Sequence, residues 1–210
     1  RGTAEFAVQV KGQEAPLHDP RIKFALNLGY ATSPTGADHM HNIHDNQFAS
    51  ESGLEDVRSL GVLEPLPFDY LGPEKIRLAK YHIDWQVFHN CLGLCAFMPY
   101  SKEHVREIVE GVTGWNSTVF ELIKAGERAL AMARVFNRIH GLTAEDDVAH
   151  PRFSSPMRSG GPATGVEVPA EEMAGAIELY YEMCGWDKET GAPTAAKLHE
   201  LGIGWVADLL

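Results

Sequence analysis

The order of apolar and polar positions predicts a chain that begins with one strand and is helical afterwards. Residues 5–12 alternate apolar and polar side chains, as a half-buried strand does. No second strong strand follows nearby, so we expect its pairing partner to lie outside this sequence. Asp19 and Pro20 mark a helix start, because the carboxylate can cap free backbone N–H groups and proline suits the first helical position. Apolar positions then recur at helical spacing as far as Tyr30.

Most of the remaining chain is also predicted to be helical. Pro73 opens a helix to about Leu92 that is apolar on two sides, which is typical of a helix buried between neighbours. Ser101 can cap the next helix. Further helices are predicted over residues 37–45, from 116 or 117 to 139, 169–184, 195–201 and 205–210, with loops over 61–73 and 142–168. The fold class is therefore all-α: a multihelical domain of residues 1–210, with a short N-terminal strand and linker in residues 1–18.

The longest predicted helix, ending at Ile139, should turn one apolar face inward. The side chains expected on this inner face are Phe120, Ile123, Leu130 and Phe136, interspersed with Ala125, Gly126, Ala129 and Ala133. Those expected to face water are Glu121, Lys124, Arg128 and Arg138.

Composition narrows the classes of function. The 210 residues carry 29 acidic and 18 basic side chains, a formal net charge of −11, which argues against a nucleic-acid surface because phosphate binding needs clustered Lys and Arg. No apolar run approaches the length of about 18–20 residues that a membrane helix needs, and no signal-peptide pattern opens the chain. An odd count of three cysteines is not a disulfide framework, so a reducing, cytoplasmic setting is expected.

One candidate site is the sequence from Asn90 to Cys95, where the long helix is predicted to end at Gly93. Glycine lets the backbone turn there, and Cys95 then stands in a loop, where a thiolate can reach a soft metal. The alternative is an ordinary helix end with two half-buried cysteines, Cys91 and Cys95, since free cysteine is often buried.

A second candidate is residues 36–45, which hold three histidines and two aspartates. Such a set can build a metal site, and Asp38 can instead orient His39 as a general acid or base. On a helix, Asp38 and His41 would share one face. The alternative is a polar turn with solvated histidines. In the third candidate segment, residues 11–21, Asp19 is expected to act as a helix cap and His18 to be an ordinary solvated side chain.

Taken in order, these segments resemble one family. The stretches VKGQEAPLHDPR (10–21), LGYATSPTGADHM (28–40) and NCLGLC (90–95), followed by YYE (180–182), GWD (185–187) and GAPT (191–194), are similar to the C-terminal domain of the aldehyde:ferredoxin oxidoreductases. The resemblance implies oxidation of aldehydes, or in some branches reduction of carboxylates or thioesters, at tungsten or molybdenum held by two pterins. A 4Fe-4S cluster would pass the electrons to ferredoxin.

The same resemblance implies roles for individual residues. Cys95 matches the fourth ligand of the 4Fe-4S cluster, whose other three cysteines lie in an upstream CxxCxxxC stretch. Asn90 and Leu94 match pterin contacts, although an amide at 90 replaces the usual aspartate and carries no charge. His39 matches a proton-transfer residue beside the metal, and Asp38 belongs to the same cofactor-binding segment. His18 stands where several members have tyrosine.

Three cysteines cannot hold the cluster alone, so we expect the chain to be the C-terminal third of a larger enzyme and inactive in isolation. The expected partners are the remaining domains, ferredoxin and a small aldehyde, with no nucleic acid and no membrane. Two alternatives remain: a self-contained metal-binding helical protein using the cluster at 38–45, and a non-catalytic interaction subunit.

Overall fold

Helices make up most of the described part of this computed structural model, which comprises residues 2–3, 6–55, 57–159 and 161–210. They are α1 (Phe24–Thr32), α2 (Pro73–Cys91), α3 (Lys102–Thr113), α4 (Val119–Ile139), α5 (Ala170–Cys184) and α6 (Ala195–Glu200), with short 3-10 turns between them and a last one at Gly204–Leu209. This architecture confirms the predicted multihelical fold class. None of the helices in this part of the chain is long and apolar enough to cross a membrane.

The N-terminal strand pairs within the chain, so the expectation of an outside partner is wrong. Strand β1 (Gln9–Val10) runs antiparallel to β2 (Gln13–Glu14), with Gln9 opposite Glu14. The link is the two-residue turn Lys11-Gly12, in which both residues have positive φ, 51° and 81°. Such turns match the twist of a hairpin. Glu5, where the predicted strand begins, lies outside the described residues.

Helix α2 is central because it packs against both α4 and α5. Ile76 and Ile83 belong to the main core, which α5 completes with Tyr180 and Tyr181. Farther along α2, a second cluster joins it to α3 and α4; its buried members are Trp85, Phe88, Val105, Val109 and Leu122. The prediction of a helix buried between neighbours is therefore confirmed.

The inner face of α4 differs from the predicted one. Phe120 and Phe136 are 65% and 61% exposed, whereas Glu127 and Arg134 are buried. The cause lies in partners that are remote in sequence. Lys80 of α2 lies 3.1 Å from Glu127, and Arg134 lies 2.6 Å from Asp147. Buried charges that are paired in this way set the orientation of the helix about its axis.

Residues 37–44 contain no helix, so that prediction is wrong as well. Side chains divert the backbone there: Asp38 accepts a hydrogen bond from the Met40 N–H at 2.7 Å, and Asn42 donates one back to the Asp38 carbonyl. Asp and Asn commonly compete with the helical ladder through such local bonds. The segment is a series of turns that ends in a 3-10 turn at Asp45–Phe48.

Candidate functional site

Three histidines from two distant parts of the sequence meet on one side of the molecule. The ring centroid of His18 lies 4.7 Å from that of His39 and 4.8 Å from that of His44, and the last two lie 6.0 Å apart. Lys23, just before α1, places its ammonium nitrogen 3.1 Å from Nδ1 of His44. His18, expected to be an ordinary solvated side chain, thus belongs to the cluster.

The buried carboxylate of Asp45 fixes this segment to the helices beneath it. It accepts hydrogen bonds from the N–H groups of Ala25 and Leu26 at 3.3 and 3.2 Å, so it caps the start of α1 through space. Its Oδ1 also lies 2.6 Å from the ammonium of Lys75 on α2. The adjacent His44 is therefore anchored to both helices.

Burial keeps His44 neutral. Desolvation, aided by the charge of Lys23, lowers the pKa of His44 to about 4. In the matching tautomer, Nδ1 accepts from Lys23, and Nε2–H donates to the His39 carbonyl 3.2 Å away. Burial and the charge of Lys23 also lower the pKa of His18. His18 and His44 are therefore uncharged at neutral pH.

Asp38 orients His41 and not His39, contrary to the hypothesis from the sequence. Its Oδ2 lies 3.1 Å from Nδ1 of His41, whose Nε2 lies 2.9 Å from the Ser33 hydroxyl. The hydrogen bond with His41 lowers the pKa of Asp38 to about 2, so the carboxylate is ionised. Asp38 and His41 form a structural pair behind the histidine cluster.

A cavity of about 300 Å³ connects the histidines with the loop after α2. One wall holds His18, His39 and His44; another holds Ala96 and Phe97, which directly follow Cys95. We call this space the histidine cavity. Residues of the segment 36–45 therefore line the same cavity as the two residues that directly follow the segment 90–95.

Sequence reasoning missed two α2 residues that also line this cavity, His82 and Gln86. They are one helical turn apart and their side-chain nitrogens lie 3.3 Å apart. Their spacing of four was the available signal. Burial lowers the pKa of His82 to about 3, so it too is neutral.

Both cysteines at the end of α2 and in the loop that follows it are exposed free thiols. Cys91 ends the helix, Gly93 turns the chain with φ of 68°, and Cys95 follows in the loop. Asn90 is exposed, whereas Leu94 is partly buried against the cluster of α2, α3 and α4. Leu94 thus anchors a loop whose thiols and amide face outward.

The histidines do not form a metal site by themselves. In the described ranges of the chain, no three His, Cys, Asp or Glu side chains converge to hold a metal ion. The ammonium of Lys23 lies among the rings of His18 and His44, where it opposes a second cation. The alternative of a self-contained metal-binding protein using residues 38–45 receives no support from this geometry.

The family of the chain follows from comparison with known proteins. The family model described as aldehyde ferredoxin oxidoreductase, domains 2 and 3, matches residues 1–203. The chain belongs to the aldehyde ferredoxin oxidoreductase family. The tungsten-containing aldehyde ferredoxin oxidoreductase of Pyrococcus furiosus is 30% identical over 205 residues, and that of Thermococcus kodakarensis is 29% identical over 205; each match covers 96% of this chain and 32% of the relative.

Two further relatives extend the comparison. The aliphatic sulfonate oxidoreductase WOR-like subunit of Pyrococcus furiosus is 26% identical over 211 residues, covering 95% of this chain and 28% of that protein. The active-site complex BamBC of benzoyl coenzyme A reductase, solved with 1,5-dienoyl-CoA, shares the fold with a TM-score of 0.65 at 18% identity, over 99% of this chain and 34% of that one. This member of the aldehyde ferredoxin oxidoreductase family therefore spans about a third of the length of the relatives it matches.

Proposed function

We propose that this chain is the C-terminal helical domain of an aldehyde:ferredoxin oxidoreductase, which oxidises aldehydes to carboxylic acids and passes the electrons to ferredoxin. In this proposal, the domain covers a tungsten or molybdenum bis-pterin centre, and Cys95 supplies the fourth ligand of a 4Fe-4S cluster. The observation that carries the proposal is that the exposed Cys95 directly precedes Ala96 and Phe97, which line the histidine cavity.

The residues around Cys95 fit such a role. Thiolates are the ligands that iron–sulfur clusters prefer, and this thiol is accessible on a loop. Beside it, Leu92, Phe97 and Met98 expose 38%, 82% and 45% of their surface. Exposed apolar side chains grouped on one loop are typical of a surface that another protein segment covers. The remaining domains of the same enzyme would supply that cover and the other three cysteines.

When bound, the metal–pterin centre would supply the redox chemistry and the cluster would conduct electrons. The chain's own residues would orient the substrate and handle protons. His39 lies at the cavity beside the neutral rings of His18 and His44, and it is the imidazole that we propose holds and moves the proton.

The residues predicted to contact the cofactor differ in whether their side chains are already hydrogen-bonded within the chain. Asn90 has an exposed amide free to donate to and accept from a pterin, and Leu94 positions the loop. Asp38 is engaged by His41 and the Met40 N–H. We therefore propose that Asp38 supports cofactor binding by positioning the His39 segment.

The test uses this chain together with the polypeptide that supplies the remaining two thirds of the enzyme. We expect Cys95→Ser to remove cluster iron and the EPR signal of the reduced cluster, because one ligand is lost. Cys91→Ser is the matched control, since that thiol is also exposed and only four residues away. It should retain iron and signal. The 210-residue chain alone should bind neither iron nor tungsten.

Two results would contradict the proposal. One is a full complement of cluster iron with an unchanged EPR signal in Cys95→Ser. The other is stoichiometric iron and tungsten in the isolated chain, because a single exposed thiol in the loop cannot hold a cluster.

A further inference from the structure

A second cavity, of about 670 Å³, lies between the segment before α1 and the loop ahead of α5. We call it the arginine pocket. Its lining residues are Asp19, Arg21, Arg152, Ser155, Pro156, Met157, Arg158 and Ser159. Three guanidinium groups and one carboxylate give it a local charge of +2, in a chain whose formal net charge is −11.

Two of these guanidinium groups are unpaired. The side chains of Arg152 and Arg158 make no hydrogen bond or ion pair with any residue in the described ranges 2–3, 6–55, 57–159 and 161–210. Every other described arginine has a side-chain contact of this kind. Acidic side chains outnumber basic ones by 29 to 18, so partners are plentiful elsewhere on the surface. Two free guanidinium groups in one concavity leave their donors available to a ligand.

Arg21 forms the rigid wall of the pocket. Its Nε and Nη2 donate to the two oxygens of Asp19 at 3.0 and 2.6 Å, and Nη1 donates to the Ser155 carbonyl at 3.1 Å. Burial by itself would raise the pKa of Asp19, but the hydrogen bonds and charge of Arg21 hold it below its ordinary value. Asp19 is therefore ionised and paired with the guanidinium group of Arg21, so Arg152 and Arg158 are the arginines that remain available to a ligand.

We propose that the arginine pocket binds a phosphorylated small molecule through its phosphoryl groups. Guanidinium groups bind phosphate oxygens in a bidentate manner, and the Ser159 hydroxyl adds a further donor. Pro156 and Met157 give the pocket an apolar wall for the rest of the molecule. The volume lies within the range of small-ligand sites, about 300–1,000 Å³, and exceeds what one phosphate fills.

The location of the pocket suggests its use. His18 lines the histidine cavity and the next residue, Asp19, lines the arginine pocket. The two cavities are therefore linked through consecutive residues of the chain. The binding itself is independent of the proposed function, because it requires only side chains of this chain and can be measured without any cofactor.

The test is a calorimetric titration of the 210-residue chain with inorganic diphosphate as the probe, at low ionic strength. We expect saturable 1:1 binding that weakens roughly 10- to 100-fold in Arg152→Ala and in Arg158→Ala, as loss of a charged hydrogen-bonding partner does. Asp19→Asn should strengthen binding roughly threefold or more, because it removes a negative charge from the pocket and frees Arg21. Far-UV circular dichroism verifies the helical fold of each variant.

The matched control is Arg58→Ala, which removes an exposed guanidinium paired with Glu51, outside the pocket. It should leave the affinity for diphosphate unchanged. The proposal is overturned by an absence of saturable binding, by wild-type affinity in Arg152→Ala and Arg158→Ala, or by a loss of affinity in Arg58→Ala as large as theirs. It is also overturned if these two arginines instead govern the affinity for an acidic protein such as ferredoxin while diphosphate does not bind.

Discussion

At the scale of single residues, the histidine cavity combines basic groups that would repel one another if all were protonated. Burial removes this repulsion, because desolvation disfavours the protonated form of the imidazoles. His44 and His82, with pKa values of about 4 and 3, are neutral, and Lys23 donates to His44 as a hydrogen-bonding partner. Because both rings resist protonation, the proton-transfer role proposed for the cavity falls to His39.

This arrangement makes stability depend on pH. Because the pKa of His44 is lowered in the folded state, the unfolded chain binds more protons there, and stability is lost as pH falls from about 6.5 towards 4. His44→Gln should remove the part of this pH dependence that His44 contributes. That part is at most about 1.4 kcal/mol of unfolding free energy per pH unit, and it is smaller because solvent screens the ring. Urea unfolding at pH 7, 6 and 5 gives the free energy of unfolding of the wild type and of His44→Gln. The difference between the two proteins at each pH measures the contribution of His44.

Lys23→Met provides a second variant for the same prediction. Without the ammonium, the pKa of His44 should rise towards its ordinary value, so the acid sensitivity should shrink while the histidine remains. Parallel curves of unfolding free energy against pH for the wild type and both variants would show that His44 is not the group concerned.

At the scale of elements, three helix starts were predictable from sequence, and the buried face of α4 was not. Pro73, Ser101 and Pro169 mark helix starts by local chemistry, and the structure has helices at all three places. The inner face of α4 depends on the ion pair between Glu127 and Lys197, which lies 70 residues away. The pattern of residues within α4 cannot predict a contact with such a distant partner.

The candidate site divides in the same way. The helix-ending sequence at Gly93 predicted a loop for Cys95, and the thiol is exposed there. The contribution of His18 could not be predicted, because only the tertiary fold brings it to His39 and His44. The turn structure of residues 37–44 depends on side-chain hydrogen bonds such as that of Asp38, which a helical periodicity does not detect.

Helices α2 and α4 come close together at Gly126. A Cβ atom there would lie 1.9 Å from the Asp84 carbonyl oxygen and 2.9 Å from the Phe88 nitrogen, both backbone atoms of α2. Gly126→Ala should therefore destabilise the fold by about 2 kcal/mol or more, despite the better helix propensity of alanine. Thermal or urea unfolding measures this change.

Gly175 in α5 is the matched control, because a Cβ atom there meets nothing within 4 Å. Gly175→Ala should stabilise the chain by about 0.5–1 kcal/mol through propensity alone. If both substitutions changed stability in the same direction, the close contact between α2 and α4 would not be the cause.

At the scale of the whole molecule, the loop that carries Cys95 also reaches the histidine cavity. Cys95 and Met98 are exposed, and Phe97, which lies between them in sequence, lines the cavity. The chain spans about a third of its relatives, so the remaining domains of the enzyme are the expected occupants of this surface. In the assembled enzyme, the Cys95 thiol would then be an iron ligand and no longer be exposed to solvent.

Thiol alkylation of the assembled enzyme, followed by peptide mass spectrometry, tests this change of environment directly and without substitution. Cys95 should resist iodoacetamide while the cluster is intact and react once the iron has been removed by oxidation and chelation. Cys91 should react at the same rate before and after iron removal. Alkylation of Cys95 at full rate in the iron-loaded enzyme, with no loss of iron, would contradict the account.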